Sequence, residues 1–224
     1  MTRKSGQLPL KQQAYDAILE RILEGQFKPG ELLNRRGVAL QLGMSAAPVH
    51  EAMIQLERDG FLEALPRLGT QVRSACREDV RGHLIVREAL ECQAARLICG
   101  ERVRQAMPRL RPLAAAADSV AQSDTDRAHQ EVSFHVALVE LADCPALLQE
   151  YRRVMQIGLF YRINLVMNMP LREPAHRHLA LLKELCADSP EAAEKASRCH
   201  VWTGKPDSLK ERTPLGGSGN IKQS

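Results

Sequence analysis

Between residues 77 and 203 apolar side chains recur every three or four positions, and nowhere do they alternate long enough to make a convincing strand. No other feature narrows the possible folds as much. A 3.6-residue period gathers the apolar side chains on one face of each segment, so every segment must lay that face against another helix. Helices are expected near 77–100, 101–121, 124–142, 145–167, 173–187 and 190–202, an all-α antiparallel bundle of about six helices. Only 4% of the residues are aromatic, so the bundle core is aliphatic. Gly204 and Pro206 end the last helix. Residues 203–224 are polar, contain Gly216-Gly217-Ser218-Gly219, and read as an atypical disordered tail.

The first third follows a different plan. Residues 1–8 read as a flexible N-terminus, and 9–75 as one small domain followed by the helical domain over 76–202. An amphipathic helix covers 9–25, with Ala14, Ile18, Leu19 and Ile22 at helical spacing, and Lys28-Pro29-Gly30 makes a turn. A short helix follows over 34–41. Gly43 supplies the backbone freedom a tight inter-helix turn requires. Ser45 is placed as an N-cap for a helix over 46–59, and Pro48 sits in its first turn, where a missing N–H costs little. Short strands at 61–65 and 70–73 flank the hairpin tip Pro66-Arg67-Leu68-Gly69. Three helices and a two-stranded wing make a winged helix-turn-helix, so the expected class is mainly α.

Composition excludes several functions. No apolar run reaches the roughly 18 residues a membrane helix needs, and the N-terminus lacks the apolar segment of a secretion signal. Six scattered cysteines without a CxxC pair fit reduced thiols in a cytoplasmic protein. The net charge is +4, and residues 1–75 hold 10 Lys/Arg against 8 Asp/Glu, so attraction of a single chain to phosphate is modest.

The stretches ILEGQFKPGELL and LGMSAAPVHEAMIQLERDGFLEALPRLGTQV resemble the DNA-binding domain of the GntR family of bacterial transcriptional regulators. In the helical half, VREALECQAARL (86–97), EVSFH (131–135), HRHLALLKEL (176–185) and His200 resemble the FadR-type C-terminal ligand-binding (FCD) domain, in its shorter VanR-like form. The resemblance implies a homodimer that grips an inverted repeat in double-stranded DNA. It also implies a small carboxylic acid effector, and most often repression.

Glu131 and His135 stand four apart on one helix face, an arrangement that suits a divalent ion. The resemblance adds His178 and His200 as ligands and puts an aspartate where this chain has Glu131. Three imidazoles and a carboxylate fit zinc, nickel or manganese. Taken singly, each of these residues reads equally as a surface or core side chain, and His176 competes with His178 for its place. Arg87, by the same resemblance, faces the effector and grips its carboxylate, with Tyr161 and Arg162 as further lining. The simpler alternative for Arg87 is an i,i+4 ion pair with Glu91.

The DNA-contacting set comprises Arg35, Arg36, Ser45, Ala46, His50, Arg67 and Gly69. Family members usually carry arginine where Ala46 and His50 stand here. A recognition helix without those arginines loses the bidentate guanine contact. Two rival functions follow: a dimeric ligand- or metal-binding module with weakened DNA binding, and a metallohydrolase. The second is disfavoured because neither HExxH nor a phosphate-binding glycine loop occurs.

Overall fold

The computed structural model describes residues 8–119, 124–166 and 177–210. The chain divides into two compact units, one running to Cys76 and including Met155–Met169, the other comprising the rest.

The first unit opens with α1 (Leu10–Leu23), β1 (Leu32–Leu33), α2 (Arg35–Leu42), α3 (Ala46–Asp59), β2 (Leu62–Leu65) and β3 (Gly69–Val72). Ala14, Ile18 and Ile22 of α1 meet the buried face of α3, formed by Val49, Ala52, Met53 and Leu56. Full burial of each larger side chain contributes about 1.5–3 kcal/mol. Two bonds fix the pose of α3: Tyr15 Oη donates to Asp59 Oδ2 (2.9 Å), and Thr70 Oγ1 to Glu57 Oε1 (2.9 Å). Gly43 ends α2 at φ 63°, the left-handed turn expected of it.

The wing has three strands where two are expected. The antiparallel order is β1-β3-β2, with Leu32 opposite Gln71 and Leu33 opposite Thr70. A two-residue strand has no periodicity to read, and β1 exists because β3 offers it a partner. The ladder is extended by Gly30 N–H to Val72 O (2.8 Å) and Val72 N–H to Glu31 O (2.9 Å).

The second unit contains α4 (Arg77–Ile98), α5 (Glu101–Ala117), α6 (Asp124–Glu140), the start of α7 (Pro145–Val166), α8 (Arg177–Leu185), α9 (Pro190–Trp202) and α10 (Asp207–Lys210). Its core joins Ile98 of α4, Val103 and Leu110 of α5, Phe134 and Leu138 of α6, Leu181, Leu182 and Leu185 of α8, and Ala193 and Ala196 of α9. Small residues on α9 allow it to lie close along α4, the most extensive helix pairing in the molecule's described residues. Gly100 turns the chain between α4 and α5 at φ 78°, and a Cβ there would lie 2.0 Å from Asp188 Oδ1. Residues 207–210 depart from the expected tail: they form a helical turn against α4, with Leu209 buried. One apolar side chain in a polar segment was too little periodicity to reveal it. The rest of the expected tail, 211–224, lies outside the described residues, as do residues 167–176, including His176. No helix among the described residues is long and apolar enough to cross a membrane, and none of the six cysteines forms a disulfide among the described residues.

Candidate metal centre and nucleic-acid interface

His135, His178 and His200 come from α6, α8 and α9, and one ring nitrogen from each lies within 4.8 Å of the others. All three are buried, and Nε2 of His200 is 3.2 Å from Nε2 of His135. Phe134 packs its ring edge-to-face against both His135 (5.0 Å) and His178 (5.1 Å), which limits their rotation.

Two carboxylates behind the rings decide which nitrogen faces inward. Asp118, just past the end of α5, accepts from His178 Nδ1 (2.8 Å) and from the backbone N–H groups of His178 (3.1 Å) and Leu179 (3.0 Å). It therefore caps the start of α8 and holds the His178 ring by its outer nitrogen. Nε2 of His178 is buried with no hydrogen-bond partner among the described residues. Glu91 Oε2 lies 3.4 Å from His135 Nδ1, leaving Nε2 of that ring directed at His200. A carboxylate behind each imidazole sets tautomer and orientation in metal sites.

Burial is the main force on the imidazoles. It lowers the pKa of His135, takes that of His178 to about 4, and depresses that of His200 further, with neighbouring cationic charge adding to the effect at each. Each is thereby held toward its neutral form, the one that ligates a metal. A buried cluster of imidazoles with an orphaned Nε2 fits a divalent ion in its donor chemistry.

Glu131, expected as the fourth ligand, is not brought into this trio. Its Oε1 lies 3.2 Å from Arg87 Nη1 and 3.2 Å from Arg177 Nη2. Glutamate is one methylene longer than the aspartate of the family pattern, and that length carries the carboxylate to the guanidinium groups. Burial opposes its ionisation, but Arg177, Arg87 and Lys205 together hold its pKa well below the usual range. Arg87 also donates from Nε to Glu91 Oε1 (2.6 Å), so the i,i+4 pair with Glu91 forms as well. Both side chains of that pair are more than nine-tenths buried, which makes it a core interaction rather than a solvated one. Tyr151 Oη donates to the same Glu91 oxygen (2.6 Å). Burial would raise the Glu91 carboxyl, yet the Arg87 guanidinium beside it, and after it the neighbouring His135, keep it well below the ordinary range.

Of the expected effector residues, Tyr161 belongs to the first unit, where its ring lies 5.7 Å from that of Phe160. The side chain of Arg162 lies outside the described residues. Tyr151, Asp118 and Arg177 lie in this cluster without having been singled out, and Glu91 had been named only as the i,i+4 partner of Arg87. Tyr151, Asp118 and Arg177 carried no signal, because only the tertiary fold brings α7, the end of α5 and the start of α8 to the same place.

On the first unit, Arg35, Arg36, Ser45, Ala46, His50, Arg67 and Gly69 are all exposed. Asn34 caps α2 by accepting from the backbone N–H groups of Arg36 (2.9 Å) and Gly37 (3.2 Å), presenting Arg35 and Arg36 in the first turn. Ser45 stands at the N-cap of α3 in extended conformation but makes no side-chain cap. The reason is local: a capping hydroxyl normally accepts from the second or third helical N–H, and the third residue here is Pro48, which has none. Arg67 occupies the wing tip at φ 67°, the third position of a tight turn closed by Leu68 N–H to Leu65 O (3.1 Å). That position normally takes glycine or asparagine.

Residues 10–72 match the model of the bacterial regulatory proteins of the gntR family, and residues 84–202 match the FCD domain. The chain belongs to the GntR family of transcriptional regulators. It is 31% identical over 194 residues to a probable D-xylose utilization operon transcriptional repressor of Paenarthrobacter nicotinovorans, covering 84% of each chain. It is 29% identical over 140 residues to the transcriptional repressor RspR of Escherichia coli, covering 61% of this chain and 60% of that one. Among solved structures, E. coli McbR/YncC superposes with a TM-score of 0.69 at 21% identity, over 87% of this chain and 94% of that one, which supports the shared fold. GntR regulators bind DNA, and these relatives are regulators and not enzymes.

Proposed function

We propose that this GntR regulator is a cytoplasmic, homodimeric repressor that binds an inverted-repeat operator in double-stranded DNA and is released by a small carboxylic acid. The acid is taken up in the helical domain beside a divalent ion held by His135, His178 and His200. The observation that carries this reading is the convergence of three buried imidazoles, with His178 anchored from behind by Asp118 and Glu91 lying 3.4 Å from the outer nitrogen of His135. Nitrogen donors favour zinc or nickel over manganese. When bound, the ion would supply a positive centre for one oxygen of the acid. Arg87 orients the acid: its Nη2 is buried and has no acceptor among the described residues, which suits it to the acid's carboxylate. The acid acts on DNA affinity by favouring one arrangement of the paired DNA-binding domains over another.

On the DNA side, Arg35, Arg36 and Arg67 position the phosphate backbone, and the uncommitted Ser45 hydroxyl donates to phosphate at the start of α3. Ala46 offers only a methyl, and His50 cannot make the arginine fork. Sequence discrimination is therefore lower than with arginine at those positions. The lack of arginine at positions 46 and 50 of α3 also supports the second reading, a ligand-binding dimer with weak DNA affinity.

The test combines elemental analysis, thermal denaturation and DNA mobility shift on the region upstream of its own gene. A divalent ion per chain, removable by chelator and lost in His178→Ala, and a specific retarded complex weakened by a carboxylic acid are expected. Protein that takes up neither zinc nor nickel removes the metal centre. Binding to that DNA no tighter than to random sequence favours the second reading.

A further inference from the structure

Glu131 sits where an anion would be expected from outside. Two guanidinium groups converge on its Oε1, each at 3.2 Å, and the side chains of Arg87, Arg177 and Glu131 are all more than nine-tenths buried. Arg87 Nη2 is also buried without an acceptor among the described residues, a donor left over for the second oxygen of a bidentate acid. The other two carboxylates near the imidazoles have different duties. Glu91 lies 3.4 Å from His135 Nδ1 and accepts from Arg87 and Tyr151, and Asp118 anchors His178 and caps α8. Glu131 is drawn to the guanidinium groups, yet helix geometry puts it one turn before His135 on the same face of α6.

We propose that Glu131 is an exchangeable carboxylate: it holds the Arg87–Arg177 seat until a small acid takes that seat and releases it towards His135, His178 and His200 to complete a metal's ligand set. This rests on reading the three imidazoles as a metal centre. The reasoning is a balance of buried charges. Withdrawal of Glu131 alone would strand buried guanidinium charge, so the carboxylate leaves only when another anion replaces it. Once displaced, Glu131 is itself a buried anion in need of a cation, and the ion beside the imidazoles supplies one. The acid and the metal each remove the obstacle to the other, so each tightens the other's binding by the same factor. The longer side chain is what makes the exchange possible, because it serves two places from one backbone position.

The test uses chelator-treated full-length protein, with Ni²⁺ as the probe metal and acetate as the probe acid, read by titration calorimetry. Acetate should raise the Ni²⁺ affinity of the unmodified protein by about tenfold. Glu131→Gln should bind Ni²⁺ more weakly and acetate more tightly, since no internal carboxylate competes, and the effect of acetate on Ni²⁺ should shrink to what a direct contact between acid and ion supplies. Glu131→Asp keeps the charge but shortens the reach to the guanidinium groups. Its Ni²⁺ affinity should respond to acetate less than that of the unmodified protein, and it stands in if the amide variant does not fold. Ni²⁺ binding that acetate leaves unchanged in the unmodified protein overturns the exchange while the metal centre stands. Failure of Glu131→Gln to take up acetate overturns the anion seat. No Ni²⁺ uptake by the unmodified protein overturns the metal centre itself.

Discussion

Replacing Asp118 with alanine should damage stability and metal affinity together, although Asp118 is not itself placed as a ligand. Its carboxylate accepts three bonds: two from the first-turn N–H groups of α8 and one from the His178 ring. Loss of a side-chain cap costs about 1 kcal/mol. Loss of a hydrogen bond to a charged acceptor costs about 1.5–3 kcal/mol. The contributions overlap, because one carboxylate makes all three bonds, so the expected total is about 3 kcal/mol. For a chain of this size that lowers Tm by about 6–12 °C.

The pH dependence follows from the same bonds. Burial alone would raise the Asp118 carboxyl, but the N–H groups of Leu179 and His178 and the His178 ring outweigh it and hold the pKa below the usual value. A carboxylate depressed in the folded state contributes stability above its unfolded pKa, near 4, and loses it as pH falls through the folded value. The acid limb of the stability curve should therefore be shallower in Asp118→Ala. Chemical denaturation of metal-free protein measures the stability term, and zinc titration measures the orientation term, expected as about a 10- to 100-fold loss of affinity. A variant within about 0.5 kcal/mol of the parent would refute the capping role. Unchanged zinc affinity would refute the claim that Asp118 aims the ring.

Arg67→Gly relieves a left-handed backbone that disfavours arginine, so stability by denaturant should hold or rise by about 1 kcal/mol while operator affinity in a mobility-shift assay falls; a fall in stability would show that the wing tip is unstrained. Ala46→Arg combined with His50→Arg should tighten binding to a guanine-bearing family operator by about 1–3 kcal/mol in fluorescence anisotropy, and equal affinity in the parent would contradict the account of α3. His83 is held at a pKa of about 4, first by burial and then by the charges of Arg87 and Lys205, so it stays neutral in the fold while the unfolded chain takes a proton near pH 6.5. Its contribution of about 3 kcal/mol is present above pH 6.5 and is lost as pH falls towards 4, so His83→Gln should make the fall of urea-denaturation stability across that window less steep, and an unchanged slope would refute the assignment.

The parts of the fold that were legible in the sequence are those written in local periodicity and turn chemistry. The buried face of α3, the left-handed Gly43 and the long helices of the second unit all follow from residues within a few positions of one another. What escaped depends on partners far along the chain. β1 is a strand only because β3 is beside it, and α10 is ordered only because Leu209 finds α4. The same division runs through the site. His135, His178 and His200 were recognisable from a family pattern, whereas Tyr151 and Asp118 reach it across sequence separations of 60 residues from Glu91 and His178, respectively.

Arg87 shows why spacing alone assigns a partner but not its meaning. Four residues separate it from Glu91 and four separate Glu131 from His135. On an exposed helix either pairing would be worth a few tenths of a kcal/mol and would say nothing about function. In the bundle, α4 and α6 face each other, and the pairs cross: Arg87 holds Glu91 on its own helix and Glu131 on the opposite one, while Glu91 reaches over to His135. Burial turns that crossing into a network in which no member can change partner without leaving another charge uncompensated. The one-methylene difference between aspartate and glutamate at position 131 is therefore felt both at the imidazoles and at the guanidinium groups. That difference is where this regulator departs from the pattern it resembles.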